Sequence, residues 1–101
     1  MDPVPDKRDW VGPVLQAGTL SQAVLAAIRE LQPEAEFIDR GSYVRVLAPG
    51  PCRVTRKLVE KYAGERLRFP GDLEAIMPSF KGRLTMSEEE ASWDFAPRAG
   101  E

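Results

Sequence analysis

The chain contains no histidine among its 101 residues. Imidazole is the commonest general base in enzymes and the commonest metal ligand in proteins. Its absence argues against an enzyme with a histidine base and against a metal centre of the carboxylate–imidazole type. The sequence also has no GxGxxG fingerprint, no phosphate-binding P-loop and no spacing typical of metal ligands.

Cysteine and long apolar runs are scarce as well. The single Cys52 can form neither an internal disulfide nor a CxxC metal clip, which indicates a reducing compartment. No apolar run approaches the roughly 20 residues of a membrane span, and the N-terminal residues lack the hydrophobic stretch of a signal peptide. We therefore expect a soluble, cytoplasmic protein in which Cys52 is a buried small side chain rather than a nucleophile.

Basic residues are not in excess. There are 14 Lys and Arg against 16 Asp and Glu, which gives a net charge of −2 and an isoelectric point near 5.2. Binding to nucleic-acid phosphates needs a clustered basic excess, so a general nucleic-acid binder is not expected. A chain of this length buries roughly 60–65% of its unfolded surface, which is enough to fold alone but not to enclose a large pocket.

Residues 37–48 carry the most informative local pattern. Two runs of branched and aromatic residues flank the polar turn Asp39-Arg40-Gly41-Ser42, which predicts a β-hairpin. From Tyr43 the second run alternates, so Tyr43 and Arg45 share one face and smaller apolar residues share the other. The face with the phenol and the guanidinium is a candidate working surface. The alternative is a solvated outer face on which Arg45 lies over Tyr43.

The segment before this hairpin predicts one strand and one helix. Pro13 interrupts an apolar run at residues 10–18, and because proline cannot donate to a ladder we expect an edge or irregular strand. Thr19 and Gln22 have the spacing of a capping box at the start of a helix, which Pro33 ends. The apolar stripe expected along this helix is Leu20, Val24, Ala27, Ile28 and Leu31.

A second strand–helix pair follows the hairpin. Residues 52–54 predict a short strand, and Thr55 is expected to cap a helix that ends at Gly64. Asp72 has the position of an N-cap for a short helix over residues 73–77. The side chains of the first of these helices that we expect to face the core are Leu58, Val59 and Tyr62.

A second hairpin is predicted near the C-terminus. Residues 80–86 alternate as one strand, and residues 91–95 alternate as the returning strand. Glu88-Glu89-Glu90 between them is interpreted as a solvated turn, with an acidic contact for a basic partner as the alternative. Hairpins with a few covering helices indicate an α+β fold with small antiparallel or mixed sheets. We expect a flexible arm at residues 1–9, a single domain at 10–96 and a flexible tail at 97–101.

The chain resembles the effector (coupling or regulatory) proteins of bacterial multicomponent diiron monooxygenases, most of all those of the toluene and alkene monooxygenase branch. The resemblance rests on the order and spacing of short motifs over most of the chain. They are Val11-Gly12-Pro13 with Gln16-Ala17-Gly18, the helix from Leu20, Asp39-Arg40, Tyr43-Val44-Arg45-Val46, Thr55-Arg56-Lys57 before a helix ending at Gly64, Ser79-Phe80-Lys81-Gly82, and an acidic turn before Trp93 and Phe95.

The resemblance implies a protein that is not itself an enzyme and holds no cofactor. Family members dock on the diiron hydroxylase above its metal site, shift nearby helices and increase coupled hydroxylation or epoxidation of a hydrocarbon. They are also thought to share that surface with the electron-donating ferredoxin or reductase. The implied partner is a diiron hydroxylase, and binding to nucleic acid or to a membrane is not expected. The free protein is expected to be a monomer.

Candidate contacts with the hydroxylase come from the same motifs, because arginine and aromatic residues are the usual anchors of protein interfaces. Phe80 could instead belong to the core, and Arg40 could serve only to hold the hairpin turn. A different class of function, a small single-stranded nucleic-acid-binding module, would bring Tyr43, Arg45, Arg53 and Arg56 together as a stacking and phosphate surface. The residues expected to contact the hydroxylase are Val11, Gly12, Pro13, Arg40, Tyr43, Arg45, Phe69, Met77, Phe80 and Lys81.

Overall fold

The computed structural model describes residues 9–95, and this part of the chain has the predicted α+β fold. The strands are β1 (Gly12–Gln16), β2 (Glu36–Asp39), β3 (Tyr43–Leu47), β4 (Cys52–Thr55), β5 (Ser79–Lys81), β6 (Arg83–Met86) and β7 (Glu90–Asp94). The helices are α1 (Thr19–Leu31), α2 (Arg56–Ala63) and α3 (Gly71–Ile76).

The described strands form two small antiparallel sheets. One has four strands in the order β2-β3-β1-β5, and the other has three in the order β4-β7-β6. Both predicted hairpin turns are confirmed, since Asp39 pairs with Val44 across the first and Met86 pairs with Ala91 across the second. The Asp39 carboxylate accepts a hydrogen bond of 2.8 Å from the Gly41 N–H, which stabilises the first turn.

Of the two alternatives expected for the strand with Pro13, the edge strand is wrong, because β1 lies between β3 and β5, and the irregular strand is confirmed. The ladder between β1 and β3 begins at Val14, and Val11 is joined to Ala48 by an isolated bridge. Pro13 lies in the gap between these two stretches. The missing N–H of the proline therefore interrupts no ladder pair with β3, which is why an interior strand tolerates it.

Gly82 divides the single strand predicted over residues 80–86. The part before it, β5, joins the four-stranded sheet, and the part after it, β6, joins the three-stranded sheet. Gly82 has a φ of +107°, and a Cβ at this position would lie 2.5 Å from the Asp94 carbonyl oxygen and 2.8 Å from Val11 Cγ1. Glycine thus permits a close approach of the backbone where the chain passes from one sheet to the other.

Helix α1 begins where predicted but without the predicted capping box. Gly18 is its N-cap residue, and no side chain caps the helix. The Ser21 hydroxyl instead donates a hydrogen bond to the Gln16 carbonyl oxygen, which ties the first turn of the helix to the end of β1. The helix ends at Leu31, as expected from the following proline, but Leu31 is 37% exposed rather than buried.

Helix α2 has both predicted caps, whereas α3 does not. Thr55 Oγ1 accepts a hydrogen bond of 3.2 Å from an amide of the first turn of α2, and Gly64 closes the helix with a φ of +74°. The N-cap of α3 is Pro70 rather than Asp72. Asp72 lies within that helix, and its carboxylate accepts a hydrogen bond of 2.7 Å from the N–H of Arg68 in the preceding loop.

One cluster of buried side chains includes residues of both sheets and all three helices. Its largest fully buried member is Trp93, which pairs with Cys52 across β7 and β4. Tyr62 was expected inside but is 43% exposed, and its hydroxyl donates to a Glu30 carboxylate oxygen at 2.7 Å. The polar end of this ring therefore lies at the surface between α1 and α2.

Residues 1–8 and 96–101 lie outside the described residues. Nearly all of the arm predicted at residues 1–9, and all of the tail predicted at 97–101, fall in these two segments. Within residues 9–95, no helix has both the length and the apolar content needed to cross a membrane.

Candidate partner-binding surface

The candidate surface is the outward face of the four-stranded sheet. Strand β3 alternates as predicted, with Val44 and Val46 only 5% and 0% exposed. Arg45 between them is exposed and Tyr43 is partly exposed. The strand thus turns its small apolar residues to the core and holds the phenol and the guanidinium on the opposite face.

The pairing of the strands extends this face across the whole sheet. Arg45 pairs with Ile38 on β2 and with Val14 on β1, and Val14 pairs with Ser79 on β5. Paired residues of antiparallel strands point to the same side, so these four side chains form one row across the sheet. The outward residues, called the sheet face below, are Val14, Gln16, Glu36, Ile38, Tyr43, Arg45, Leu47, Ser79 and Lys81.

A groove of about 390 Å³ lies on the sheet face. Its two apolar side chains, Val14 and Pro78, come from β1 and from the segment before β5. The polar lining consists of hydroxyl, amide and guanidinium groups, and none of the seven lining residues carries a carboxylate. The lining residues are Val14, Gln16, Ser42, Tyr43, Arg45, Pro78 and Ser79.

The residues predicted to contact a partner separate into an exposed and a buried group. Arg40, Arg45 and Phe80 are exposed, and Tyr43 and Lys81 are partly exposed. A docked partner can meet these five side chains directly, and their binding role stays a prediction. The predicted residues that the fold buries are Val11, Gly12, Pro13, Phe69 and Met77.

The buried group builds the framework beneath the sheet face. Val11 exchanges two backbone hydrogen bonds with Ala48, of 3.0 and 2.8 Å. Gly12 has a φ of +152°, and a Cβ there would overlap the Val46 carbonyl oxygen, so this position needs glycine. These contacts hold the start of β1 against β3. The two buried candidates on other segments are Phe69 and Met77, each 8% exposed in the core.

For Arg40 and Phe80 the sequence also allowed a purely structural role, in the hairpin turn and in the core respectively. The Arg40 N–H donates to the Tyr43 carbonyl oxygen at 2.8 Å, so its backbone does hold the hairpin turn, while its side chain is exposed. Phe80 pairs with Pro13 on the inward side of β5. It is nevertheless 44% exposed, because β5 is an edge strand, and the assignment of Phe80 to the core is therefore wrong.

Five groove residues were not among the predicted contact residues, although three of them belong to the turn and motifs named above: Val14, Gln16, Ser42, Pro78 and Ser79. Alternation along β1 divides its side chains between two faces of a sheet, but no local signal shows which strands lie beside it. The sequence therefore could not show that residues of β1 and β5 line one groove with Tyr43 and Arg45. The two groove residues that the hairpin pattern did indicate are Tyr43 and Arg45.

The arginines required for a nucleic-acid surface are not brought together. Arg45 lies on the four-stranded sheet, whereas Arg53 and Arg56 lie on and next to β4 in the other sheet. Arg53 Nε contacts a Glu90 carboxylate oxygen at 2.6 Å, and Arg56 contacts Glu89 at 2.9 Å. The hydrogen bond with Glu89 raises the pKa of Arg56 further above its ordinary value. A nucleic-acid phosphate would have to displace these carboxylates.

Cys52 has the environment of a structural thiol. Its side chain is fully buried, and burial raises the pKa of the thiol to about 12, with a smaller contribution from the Glu34 carboxylate. The thiolate is the nucleophilic form, so a thiol that stays protonated at neutral pH is unreactive. Among residues 9–95, no three His, Cys, Asp or Glu side chains are grouped so as to hold a metal ion.

A family profile and a curated relative each match most of the chain. The sequence profile of the MmoB/DmpM family matches residues 9–94. The effector subunit of the alkene monooxygenase system of Xanthobacter autotrophicus (strain ATCC BAA-1158 / Py2) is 41% identical over 88 residues. That alignment covers 85% of this chain and 86% of the relative.

Solved structures give the same fold at much lower sequence identity. A chain of one structure of the phenol hydroxylase–regulatory protein complex has a TM-score of 0.75 and 19% identity, and the match covers 84% of this chain and 97% of that one. A chain of a second structure of such a complex has a TM-score of 0.69 and 18% identity, with coverages of 81% and 94%.

Proposed function

This chain belongs to the MmoB/DmpM family, and we propose that it is the effector subunit of a multicomponent diiron monooxygenase. The observation that carries the proposal is its identity with an alkene monooxygenase effector subunit along most of both chains. In this role the chain is a single regulatory domain, over residues 10–96, that holds no cofactor and does not itself turn over a substrate. It acts by docking on the hydroxylase near its active site.

The sheet face supports this proposal as the docking surface. It combines apolar side chains such as Val14 and Ile38 with the exposed Arg45 and the phenol of Tyr43. Protein interfaces favour a mixture of this kind, with arginine and aromatic residues as anchors. Lys81 on the edge strand β5 adds a positive charge to the sheet face, and Phe80 lies exposed at the same edge, on the inward side of the strand.

The mechanism is a shift in the conformational equilibrium of the hydroxylase. An effector changes that equilibrium only as far as it binds one conformation more tightly than the other. Moving a ratio of 1:99 to 99:1 requires about 5.5 kcal/mol of differential binding, and a well-packed interface of roughly 1,600 Å² can supply it. The favoured conformation is the one in which oxygen activation is coupled to hydroxylation or epoxidation of the hydrocarbon.

Three further features belong to the proposal. The free effector is a monomer, and it acts in the cytoplasm. A reducing compartment suits this chain because its one cysteine, Cys52, forms no disulfide. The electron-donating ferredoxin or reductase competes for the same surface of the hydroxylase. Excess effector would therefore slow the supply of electrons, and turnover should pass through a maximum as its concentration rises.

A turnover titration tests the proposed function. The hydroxylase and electron donor of the Xanthobacter autotrophicus alkene monooxygenase system are supplied with increasing amounts of this chain, and epoxide and consumed NADH are both measured. We expect a saturable increase in epoxide formed per NADH consumed. The effector subunit of that system serves as the positive control.

Two results would contradict the proposal. One is an unchanged ratio of epoxide to NADH at every concentration of this chain while the positive control raises it. The other is turnover of the alkene by this chain without the hydroxylase.

A further inference from the structure

The groove on the sheet face is rich in hydrogen-bond donors, and its one charged group is a cation; its hydroxyls and the Gln16 amide can also accept. The Arg45 guanidinium offers five N–H donors and cannot accept, while the hydroxyls of Tyr43, Ser42 and Ser79 can donate. None of its lining residues is a carboxylate, so no acceptor of full negative charge lies among them. A ligand that complements this lining supplies a negative charge and acceptor atoms.

Arg45 is the arginine of the groove, and unlike Arg29, Arg53 and Arg56 its side chain has no partner among the described residues. Arg40, Arg66, Arg68 and Arg83 also lack an ion pair there but do not line the groove. Arg53 and Arg56 are bound to Glu90 and Glu89, and the Arg29 guanidinium lies 4.4 Å from the centre of the Phe37 ring. Arg45 is exposed, and within residues 9–95 no carboxylate forms an ion pair with it. A guanidinium held on a rigid strand without a carboxylate is prepared to bind one from outside, with its two parallel N–H groups.

The size and shape of the groove further restrict the ligand. The groove, of about 390 Å³, is open to solvent, so it can admit a side chain from a docked protein but does not enclose a small molecule. Val14 and Pro78 supply apolar surface beside the polar groups. A carboxylate on a short aliphatic stem, together with its flanking backbone, matches both the space and the mixed lining.

We propose that this groove receives an Asp or Glu side chain of the hydroxylase, with the carboxylate bound by Arg45. The proposal rests on the proposed effector function and adds the chemistry of the contact to it. The row Ile38–Arg45–Val14–Ser79 places the groove at the middle of the sheet face, so the acidic side chain enters near the centre of the interface. Anchors near the centre of an interface contribute most to affinity.

Titrations with Arg45 variants test the contact. Arg45→Gln should raise the effector concentration needed for half-maximal turnover roughly tenfold and weaken its dependence on salt, since one charge pair is lost. Arg45→Lys should fall between Arg45→Gln and the native chain, because a lysine keeps the charge but not the paired donors. Arg53→Gln is the matched control, and its half-saturating concentration should stay within about twofold of native.

A crosslinking experiment identifies the partner residue. Tyr43 is replaced by p-benzoylphenylalanine, the complex with the X. autotrophicus hydroxylase is irradiated, and the attached hydroxylase peptide is identified by mass spectrometry. We expect a peptide that contains Asp or Glu. Replacement of that Asp by Asn, or of that Glu by Gln, should raise the half-saturating concentration as much as Arg45→Gln does. The two changes together should raise it little more than either change alone. Thr85, on the other sheet, is the control position and should give no such crosslink.

The outcomes separate this proposal from the function on which it rests. If the native chain activates the hydroxylase but Arg45→Gln has native half-saturation and native salt dependence, the groove does not bind an acidic side chain. A crosslinked peptide without an acidic residue, or fully additive effects in the double variant, leads to the same conclusion. If the native chain neither binds nor activates the hydroxylase, the effector function itself is wrong.

Discussion

Gln32, the residue after α1, binds both backbone groups of Arg53 on β4. The Arg53 N–H donates to Gln32 Oε1 at 2.9 Å, and Gln32 Nε2 donates to the Arg53 carbonyl oxygen at 3.0 Å. β4 is an edge strand of the three-stranded sheet, so its outer backbone groups have no strand to pair with. The buried amide of Gln32 takes the place of that strand and fastens the end of α1 to the sheet.

Replacement of Gln32 by alanine should therefore destabilise the fold. The change leaves the partly buried N–H and carbonyl of Arg53 without these partners, so we expect a loss of about 1–2 kcal/mol in the free energy of unfolding. Urea titration followed by circular dichroism measures it. Gln22→Ala, at an exposed position of α1, should change stability by less than about 0.5 kcal/mol. Equal effects of the two changes would show that the Gln32 amide is not needed.

The connection between the two sheets should depend on Gly82. A Cβ at this position would lie 2.5 Å from the Asp94 carbonyl oxygen, and the φ of +107° disfavours any other residue. We expect Gly82→Ala to lower the free energy of unfolding by more than about 2 kcal/mol. Gly50→Ala is the control, because no heavy atom lies within 4 Å of a Cβ built there. A Gly82→Ala protein as stable as the Gly50→Ala protein would contradict the geometry at this junction.

Local signals predicted local structure well. The alternation of residues 43–48, the cap at Thr55 and the terminating Gly64 each depend on a few neighbouring residues, and each is confirmed. The failures concern contacts between distant segments. Ser21 binds a carbonyl at the end of β1 instead of a capping box forming at Thr19, and the alternation of residues 80–86 does not reveal that the backbone changes sheet.

The candidate site was predictable only in part for the same reason. Tyr43 and Arg45 were indicated by their own strand, but Val14 and Ser79 join them through strand pairing that no local pattern encodes. The motif Val11-Gly12-Pro13 was predicted as part of the binding surface; the fold buries its three residues, and their contact with the hydroxylase stays a prediction.

Stability above pH 9 should depend on Cys52. The pKa of its thiol is raised in the folded state from 9.0 to about 12, chiefly by burial. The unfolded chain therefore loses this proton first, so the stabilisation is complete below pH 9 and is lost as the pH rises from about 9 to about 12. We expect a loss on the order of 1 kcal/mol at pH 10 from this group alone.

The contribution of the thiol is isolated by comparison with Cys52→Ala. The two proteins share every other titratable group, so the difference between the unfolding free energies of the native chain and Cys52→Ala should shrink as the pH rises from 8 to 10. Urea titrations at several pH values measure the difference. A difference that stays constant would contradict the raised pKa.

The N-cap of α2 offers a smaller and separate test. Thr55 Oγ1 accepts from the Leu58 N–H at 3.2 Å, so Thr55→Ala should cost about 1 kcal/mol of stability. Thr85→Ala, at an exposed position of β6, removes the same hydroxyl without removing a cap. Thermal unfolding of both variants measures the contrast. A destabilisation by Thr85→Ala as large as that by Thr55→Ala would rule out capping as the cause.

Hydroxyl-radical footprinting tests most directly whether the sheet face is the surface that docks on the hydroxylase. Tyr43 lies on that face, whereas Tyr62 lies on α2 with 43% of its surface exposed, so the two tyrosines report on different sides of one protein. Upon addition of the hydroxylase we expect the oxidation rate of Tyr43 to fall several-fold and that of Tyr62 to stay unchanged. Protection of Tyr62 without protection of Tyr43 would contradict the account.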